Sequence, residues 1–163
     1  MARRIFFSFY YQRDIFRVNQ VRNSWRIRPG NETQAFYDKS LWEEAKKRGD
    51  SAIQRLIDQG LQGASVTVVL IGTETDGRRW VDYEIKKSHE EGKGLLGIYI
   101  HNLKDQFGRT DRRGTNPFDR WHIKSPTGIV YFSSLYKTYD WVQDDGYNNL
   151  AFWVESAAKK AGR

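Results

Sequence analysis

Val66-Thr67-Val68-Val69-Leu70-Ile71-Gly72, followed after a short loop by Arg78-Arg79-Trp80-Val81-Asp82-Tyr83-Glu84-Ile85, decides how this chain folds. The first stretch is an almost unbroken run of β-branched and aliphatic side chains, the pattern of a parallel strand covered on both faces. The second opens a helix. Open α/β sheets bind ligands outside the carboxyl ends of their strands, so whatever follows Ile71 stands where chemistry is done. Trp80 and Glu84, at i and i+4, share one face of that helix, and its early turns favour an ionised Glu84 through the helix dipole. An anionic carboxylate beside an aromatic wall suits a flat, cationic substrate. A plainer reading leaves Glu84 on an exposed helix face, paired with Lys87 or Ser88.

The rest of the chain alternates strands with helices. Arg4 to Phe9 reads as a first strand, and Phe16, Val18, Val21 and Trp25 then recur at helical spacing until Pro29-Gly30-Asn31 breaks the pattern. Ala35-Phe36-Tyr37-Asp38 is a short second strand, and Lys39 to Gly49 a polar connection carrying Leu41 and Trp42. From Asp50, placed as an N-cap, Ile53, Leu56, Ile57 and Leu61 draw an amphipathic helix. After the Trp80 helix, which Gly92 ends, Leu95 to Ile100 forms a fourth parallel strand. Ile129 to Phe132 is predicted as the fifth. Residues about 102–127 are read as a long surface loop, and a closing helix is predicted over about 147–160. This alternation predicts an α/β, doubly wound, mostly parallel sheet of about five strands in the flavodoxin-like order, formed by the whole chain, 1–163, as one domain.

Composition narrows the function. The 163 residues include no cysteine and three histidines, His89, His101 and His122, too far apart for a zinc pattern. A cysteine-free chain with no signal-peptide pattern at its start fits a cytoplasmic home, and no apolar run approaches the roughly twenty residues of a membrane span. The net charge of +7 raises the question of nucleic acid. The basic residues are scattered, with a dense patch only from Arg109 to Arg113, and the signatures of common DNA- and RNA-binding modules are missing. Neither a nucleic acid nor a membrane is therefore expected as a partner. Phosphate-binding glycine patterns and the Gly-x-Ser-x-Gly elbow are missing too, which sets aside dinucleotide dehydrogenases, P-loop nucleotidases and serine hydrolases.

Ile5-Phe6-Phe7-Ser8-Phe9, Phe36-Tyr37-Asp38 with Leu41-Trp42, Ser65 to Gly72, and Arg79 to Ile85 resemble, in order and spacing, the blocks of TIR domains. With the tail block Tyr139-Asp140-Trp141-Val142 and Asp144 to Asn148, the chain is most similar to the TIR-like proteins of bacterial Thoeris antiphage systems. The resemblance implies a flavodoxin-like fold and cleavage of the nicotinamide–ribose bond of NAD⁺, which is a substrate here and not a cofactor. It further implies a cyclic ADP-ribose isomer as product, an effector protein that responds to this nucleotide, and self-association on activation. Glu84 takes the position of the catalytic glutamate. A carboxylate there would stabilise the oxocarbenium character left at the ribose.

Around it, Trp80 and Trp42 are candidates for stacking on nicotinamide or adenine, and Phe9 and Tyr10 for lining the cleft. Asp38 is a candidate for binding a ribose hydroxyl, and Arg78 or Arg79 for meeting the pyrophosphate. Gly77-Arg78-Arg79 departs from the small residue and serine that many TIR domains carry ahead of the tryptophan. Two other functions compete with this one: a catalytically silent TIR-like interaction module, and a nucleoside deoxyribosyltransferase-like enzyme on a similar fold.

Overall fold

In the computed structural model, which describes residues 3–33 and 39–163, the elements follow in the order β1 (Arg4–Ser8), α1 (Tyr11–Arg26), β2 (Glu32–Thr33), α2 (Lys39–Arg48), α3 (Asp50–Leu61), β3 (Val66–Ile71), α4 (Arg79–Glu90), β4 (Gly94–Tyr99), β5 (His122–Ser125), β6 (Gly128–Tyr131), α5 (Phe132–Leu135), β7 (Thr138–Asp140) and α6 (Gly146–Lys160). Every residue of β3 is buried, as its unbroken apolar run requires. It lies at the centre of a five-stranded sheet of order β2-β1-β3-β4-β7. All four pairings are parallel. This is the doubly wound, flavodoxin-like order, with its switch point between β1 and β3.

Side chains alternate across β3, so each face has its own core. Val66, Val68 and Leu70 meet Val18 and Trp25 of α1 and Trp153 of α6. Val69 and Ile71 point the other way, against Val81 and Ile85 of α4. Beside them, Phe6 of β1 packs on Ile53, Ile57 and Leu61 of α3. Thr67, the one polar residue of β3, is buried with its hydroxyl 2.7 Å from that of Ser88 on α4. Gly72, next after the strand, leaves no room for a side chain: a Cβ there would lie 2.2 Å from an Asp14 carboxyl oxygen.

Several elements differ from the sequence reading. Residues 39–48 form a helix, α2, in place of a polar connection; Trp42 and Ala45 sit one turn apart and pack on α3. Asp50 stands in the first turn of α3, and the N-cap is Gly49, whose φ of 100° is accessible to glycine. Phe16, assigned to the buried face of α1, is exposed, while Asp14 and Arg17 are buried. The strand predicted over residues 35–38 lies outside the described residues, and β2 is placed at Glu32–Thr33.

The fifth strand of the sheet is β7, not Ile129 to Phe132. Among the described residues, 128–131 pair only with β5, as an antiparallel hairpin apart from the main sheet. The exposed Ile129 shows why: an apolar run that nothing covers does not become a core strand. β7 has one large apolar side chain, Tyr139, whose ring stacks on Trp153 at 4.1 Å and 6°. The stretch 102–127 is likewise more than a surface loop. It contains a 3₁₀ turn at Pro117–Asp119 that buries Phe118, closed by the Asn116 side chain accepting from the Phe118 N–H, and it contributes β5. The closing helix, α6, runs from Gly146 to Lys160, one residue earlier than predicted. Among the described residues no helix is long and apolar enough to cross a membrane.

The double coverage of β3 sets a stability expectation. Leu70 is fully buried, so Leu70→Ala removes transfer free energy and leaves a cavity between α1 and the sheet, costing about 2–5 kcal/mol. Denaturant unfolding of the two proteins checks this; a loss under 1 kcal/mol would place Leu70 outside the load of the core.

Candidate active site

Glu84 is the sixth residue of α4 and is buried, with 5% of its surface exposed. Its only hydrogen-bonding partner among the described residues is Ser8 at the end of β1, whose hydroxyl donates to Glu84 Oε1 at 2.7 Å. Burial pushes the carboxyl up to about 8, and the Ser8 hydrogen bond, which favours the charged form, opposes only part of that. The resting side chain is therefore protonated at neutral pH, contrary to the ionised state anticipated from the helix dipole. The dipole fades within the first turn, and Glu84 lies beyond it, where desolvation decides. The surface pairing with Lys87 or Ser88 is absent as well: Lys87 binds Asp58 at 2.8 Å, and Ser88 faces Thr67.

The carboxyl stands at the floor of a cleft of about 220 Å³ outside the carboxyl end of β1. Phe9, Tyr10, Trp42, Arg78 and Trp80 all line it with Glu84, so the structure brings together every anticipated site residue that it describes. Asp38 lies outside the described residues. The wall is aromatic. Tyr11 stacks on Trp42 with ring centres 5.9 Å apart and leans on Phe9 at 6.0 Å, while Trp80 meets Tyr83 edge to face at 5.8 Å.

The mouth is cationic. The Arg78 guanidinium lies 3.8 Å over the Tyr10 ring and is tied to Glu74 at 3.0 Å. That of Arg79 lies 4.6 Å over Trp80 and pairs with Asp50 at 2.6 Å. Lys46 of α2 completes the positive side. Both acidic partners stand outside the lining, and the one carboxyl inside it among the described residues is neutral at rest, so the cleft offers aromatic faces and positive charge together. Such a combination holds a planar ring at one end and phosphate oxygens at the other. At 220 Å³ the cleft is smaller than the ~300–1,000 Å³ usual for a whole small ligand, a size that fits one half of a dinucleotide.

Sequence reasoning passed over four members of this site. Ser8 stands in the first-strand block of the sequence reading with no role of its own. Period-two alternation was the available signal, since Ser8 is two residues past Phe6 and faces the same side of β1. Tyr11 and Gln12 follow the aromatic pair Phe9-Tyr10 directly. Lys46, four residues after Trp42, joins it on one face only once residues 39–48 are helical. His101, on the same edge of the sheet, does not reach the cleft and stands 3.9 Å from Asp140.

Residues 6–105 match the family described as "Thoeris protein ThsB, TIR-like domain", a span that holds every lining residue of the cleft. The chain is also 42% identical over 191 aligned positions to a protein of Bacillus cereus (strain MSX-D12) named "Putative cyclic ADP-D-ribose synthase ThsB1". That alignment covers 94% of this chain and 100% of the relative.

The buried carboxyl makes stability pH-dependent with a definite sign. The unfolded chain loses the Glu84 proton near 4.5 and the folded protein keeps it to about 8, so unfolding releases a proton between those values and this group's contribution falls as pH rises through the window. Glu84→Gln, which cannot ionise, should match the wild type near pH 4 and exceed it by roughly 3–5 kcal/mol above pH 8. Denaturant midpoints across that range measure the difference, and a gap that stays constant with pH would contradict the raised value.

Proposed function

This chain belongs to the TIR-like ThsB family of Thoeris proteins, and from that membership and the chemistry of its cleft we propose that it is an NAD⁺-cleaving enzyme whose product is a cyclic ADP-ribose isomer. The observation that carries the reading is the burial of Glu84, the one carboxyl that lines an aromatic, cation-rimmed cleft among the described residues. In the reaction the bond between ribose C1′ and the nicotinamide ring nitrogen breaks, and its electron pair returns to the ring and neutralises it. The ribose is left with oxocarbenium character. An ionised Glu84 within the low-dielectric cleft stabilises that charge far better than water does.

The raised pKa of Glu84 fits this work. A neutral resting carboxyl makes no ion pair that would have to be broken, and the cationic nicotinamide supplies the field that favours its ionisation on binding, the proton leaving to solvent before the bond breaks. Trp80 and Trp42 flank the ring, while Lys46, Arg78 and Arg79 meet the pyrophosphate. Closure to a cyclic product requires that an atom of the adenosine half, held folded back, capture C1′ before water does; the aromatic wall serves this by excluding solvent. Ser8 is a positioning residue: its hydroxyl fixes the carboxyl's orientation and stabilises the anion once formed. The product then diffuses to a separate antiphage effector, and NAD⁺ is consumed as substrate without a cofactor.

Mass spectrometry of NAD⁺ incubations with the purified protein, and of infected cells expressing it, tests the proposal. The wild type should yield a species with the mass of cyclic ADP-ribose, and Glu84→Gln should lower its formation by about 10³-fold. The kcat/KM of the wild type should rise with pH toward a plateau above about 8, the free-enzyme value of Glu84. Ser8→Ala, by removing a hydrogen bond to the anion, should move that rise to higher pH, and Ser8→Thr should restore it. Defence that persists in Glu84→Gln without any ADP-ribose product would replace this reading with a silent interaction module. Turnover of deoxynucleosides in place of NAD⁺ would replace it with glycosyl transfer of another kind.

A further inference from the structure

A second and larger cleft, of about 520 Å³, opens at the opposite end of the sheet, outside the amino end of β4, and shares no lining residue with the Glu84 cleft. It exists because β7 is short. Pairing between β4 and β7 begins only at Gly97 and Thr138. Before that point the chain is held away, with the Tyr136 N–H closing the turn of α5 onto the Phe132 carbonyl at 2.8 Å. Gly97 donates toward this side of β4, to the Lys137 carbonyl at 2.9 Å, and the Tyr99 carbonyl accepts from Trp141 at 3.0 Å. Strand alternation turns the Leu95 N–H and C=O the same way. They find the cleft where β7 would stand, a donor and an acceptor side by side at a sheet edge.

The walls are apolar on both sides of that edge. Ile123, Leu135 and Tyr136 lie on the α4 side, and Tyr139 and Trp153 on the α6 side. The rim is positive throughout. The exposed Lys137 and Lys160 and the buried Lys93 line it, and among the described residues no aspartate or glutamate does. The Lys93 ammonium is anchored on the Ala64 carbonyl at 2.8 Å and that of Lys160 on the Leu135 carbonyl at 2.6 Å, so two of the three cations are held in place. Each keeps further N–H donors, and Lys137 is exposed.

We propose that this cleft binds a small planar anion: an aromatic or heterocyclic ring between the two apolar walls, with hydrogen-bonding edge groups toward Leu95 and a phosphate or carboxylate among the three lysines. The volume lies within the ~300–1,000 Å³ usual for small-ligand sites. Charge complementarity selects an anion over a neutral or cationic ring. The Leu95 peptide edge favours a ring bearing its own donor and acceptor over a plain hydrocarbon, because a backbone pair sealed under an apolar ligand would be left unsatisfied.

Amide NMR of ¹⁵N-labelled Glu84→Gln protein tests this without reliance on NAD⁺ turnover, so its outcome stands apart from that of the proposed activity. AMP and indole-3-acetate are titrated separately, as the phosphate and carboxylate forms of the same chemistry, with adenosine as the uncharged control. At least one anion should shift the Leu95 amide and the Trp153 indole saturably, and which of them binds more tightly identifies the anionic group. Adenosine should bind at least tenfold more weakly than AMP if AMP binds. Lys137→Glu, an exposed substitution, should weaken the bound anion at least tenfold, and Ser156→Trp, which fills the cleft from α6, should abolish binding. The proposal is overturned if neither anion moves Leu95, if the shifts cluster around Glu84 alone, or if both variants bind as the parent does.

Discussion

A strand that is apolar on both faces cannot be stable until both are covered, and β3 imposes that requirement on the whole chain. One cover comes from α1 and α6, drawn from the two ends of the sequence; the other comes from α4, which follows β3 in the chain, while α3, which precedes it, covers Phe6 of the neighbouring β1. Parallel neighbours need crossover helices, so the connections that pair β1, β3 and β4 are the same segments that cover them. The site follows from this arrangement. At the switch point, β1 and β3 send their following segments to opposite sides and leave a crevice at their carboxyl ends, and Ser8, Phe9 and the start of α4 border it.

Placing a carboxyl in that crevice works against the fold. Above neutral pH the protein would be more stable with an uncharged side chain at residue 84, and the hydroxyl of Ser8 offsets only part of the desolvation. Local stability is given up where a charge is to be formed on demand, a pattern common to catalytic carboxyls. The opposite solution appears nearby at Asp14, also buried, whose carboxyl is raised to about 6 by burial while Arg17 and Arg13 hold it lower than burial alone would. Asp14 has two guanidiniums acting against its desolvation, whereas at Glu84 the Ser8 hydroxyl is what opposes it, and the second carboxyl rises further.

The central strands and the helix face that Trp80 shares with Glu84 were legible in the sequence because their signals are local, while a site role for Glu84 came from the resemblance to TIR domains. An unbroken aliphatic run specifies β3, and Trp80 and Glu84 one turn apart specify a helix face. What was missed depends on partners distant in the chain. Thr138–Asp140 is a strand because Tyr139 finds Trp153, and no window around β7 contains that tryptophan. Ile129 to Phe132 has the better local pattern and no cover, so it pairs as an outlying hairpin. Residues 39–48 have only Trp42 and Ala45 to bury, too few for a clear period, and the helix becomes stable against α3. Ser8 gained its role through a residue 76 positions away, a separation no spacing rule spans.

The basic balance of the chain has a similar explanation in tertiary contacts. Arg17, buried on α1, donates to the carbonyls of Leu103 and Arg109 at 2.8 Å each, and Arg13 bridges Glu74 and Asp111. Arg120 grips Asp76 and Asp82, and Arg3 binds Glu155. Arg13, Arg17 and Arg120 fasten the glycine- and proline-containing stretch after β4, which has little apolar surface of its own, to α1 and α4, while Arg3 ties the start of the chain to α6. Exposed pairs contribute little individually, but a buried guanidinium satisfied by two carbonyls fixes a loop that hydrophobic packing would leave loose. Much of the positive charge is thus structural. The cations that line the two clefts are set apart by what surrounds them: their counter-ions lie outside the lining, or, around the second cleft, two of them are anchored by carbonyls, and the positive field is left directed into the space where a ligand enters.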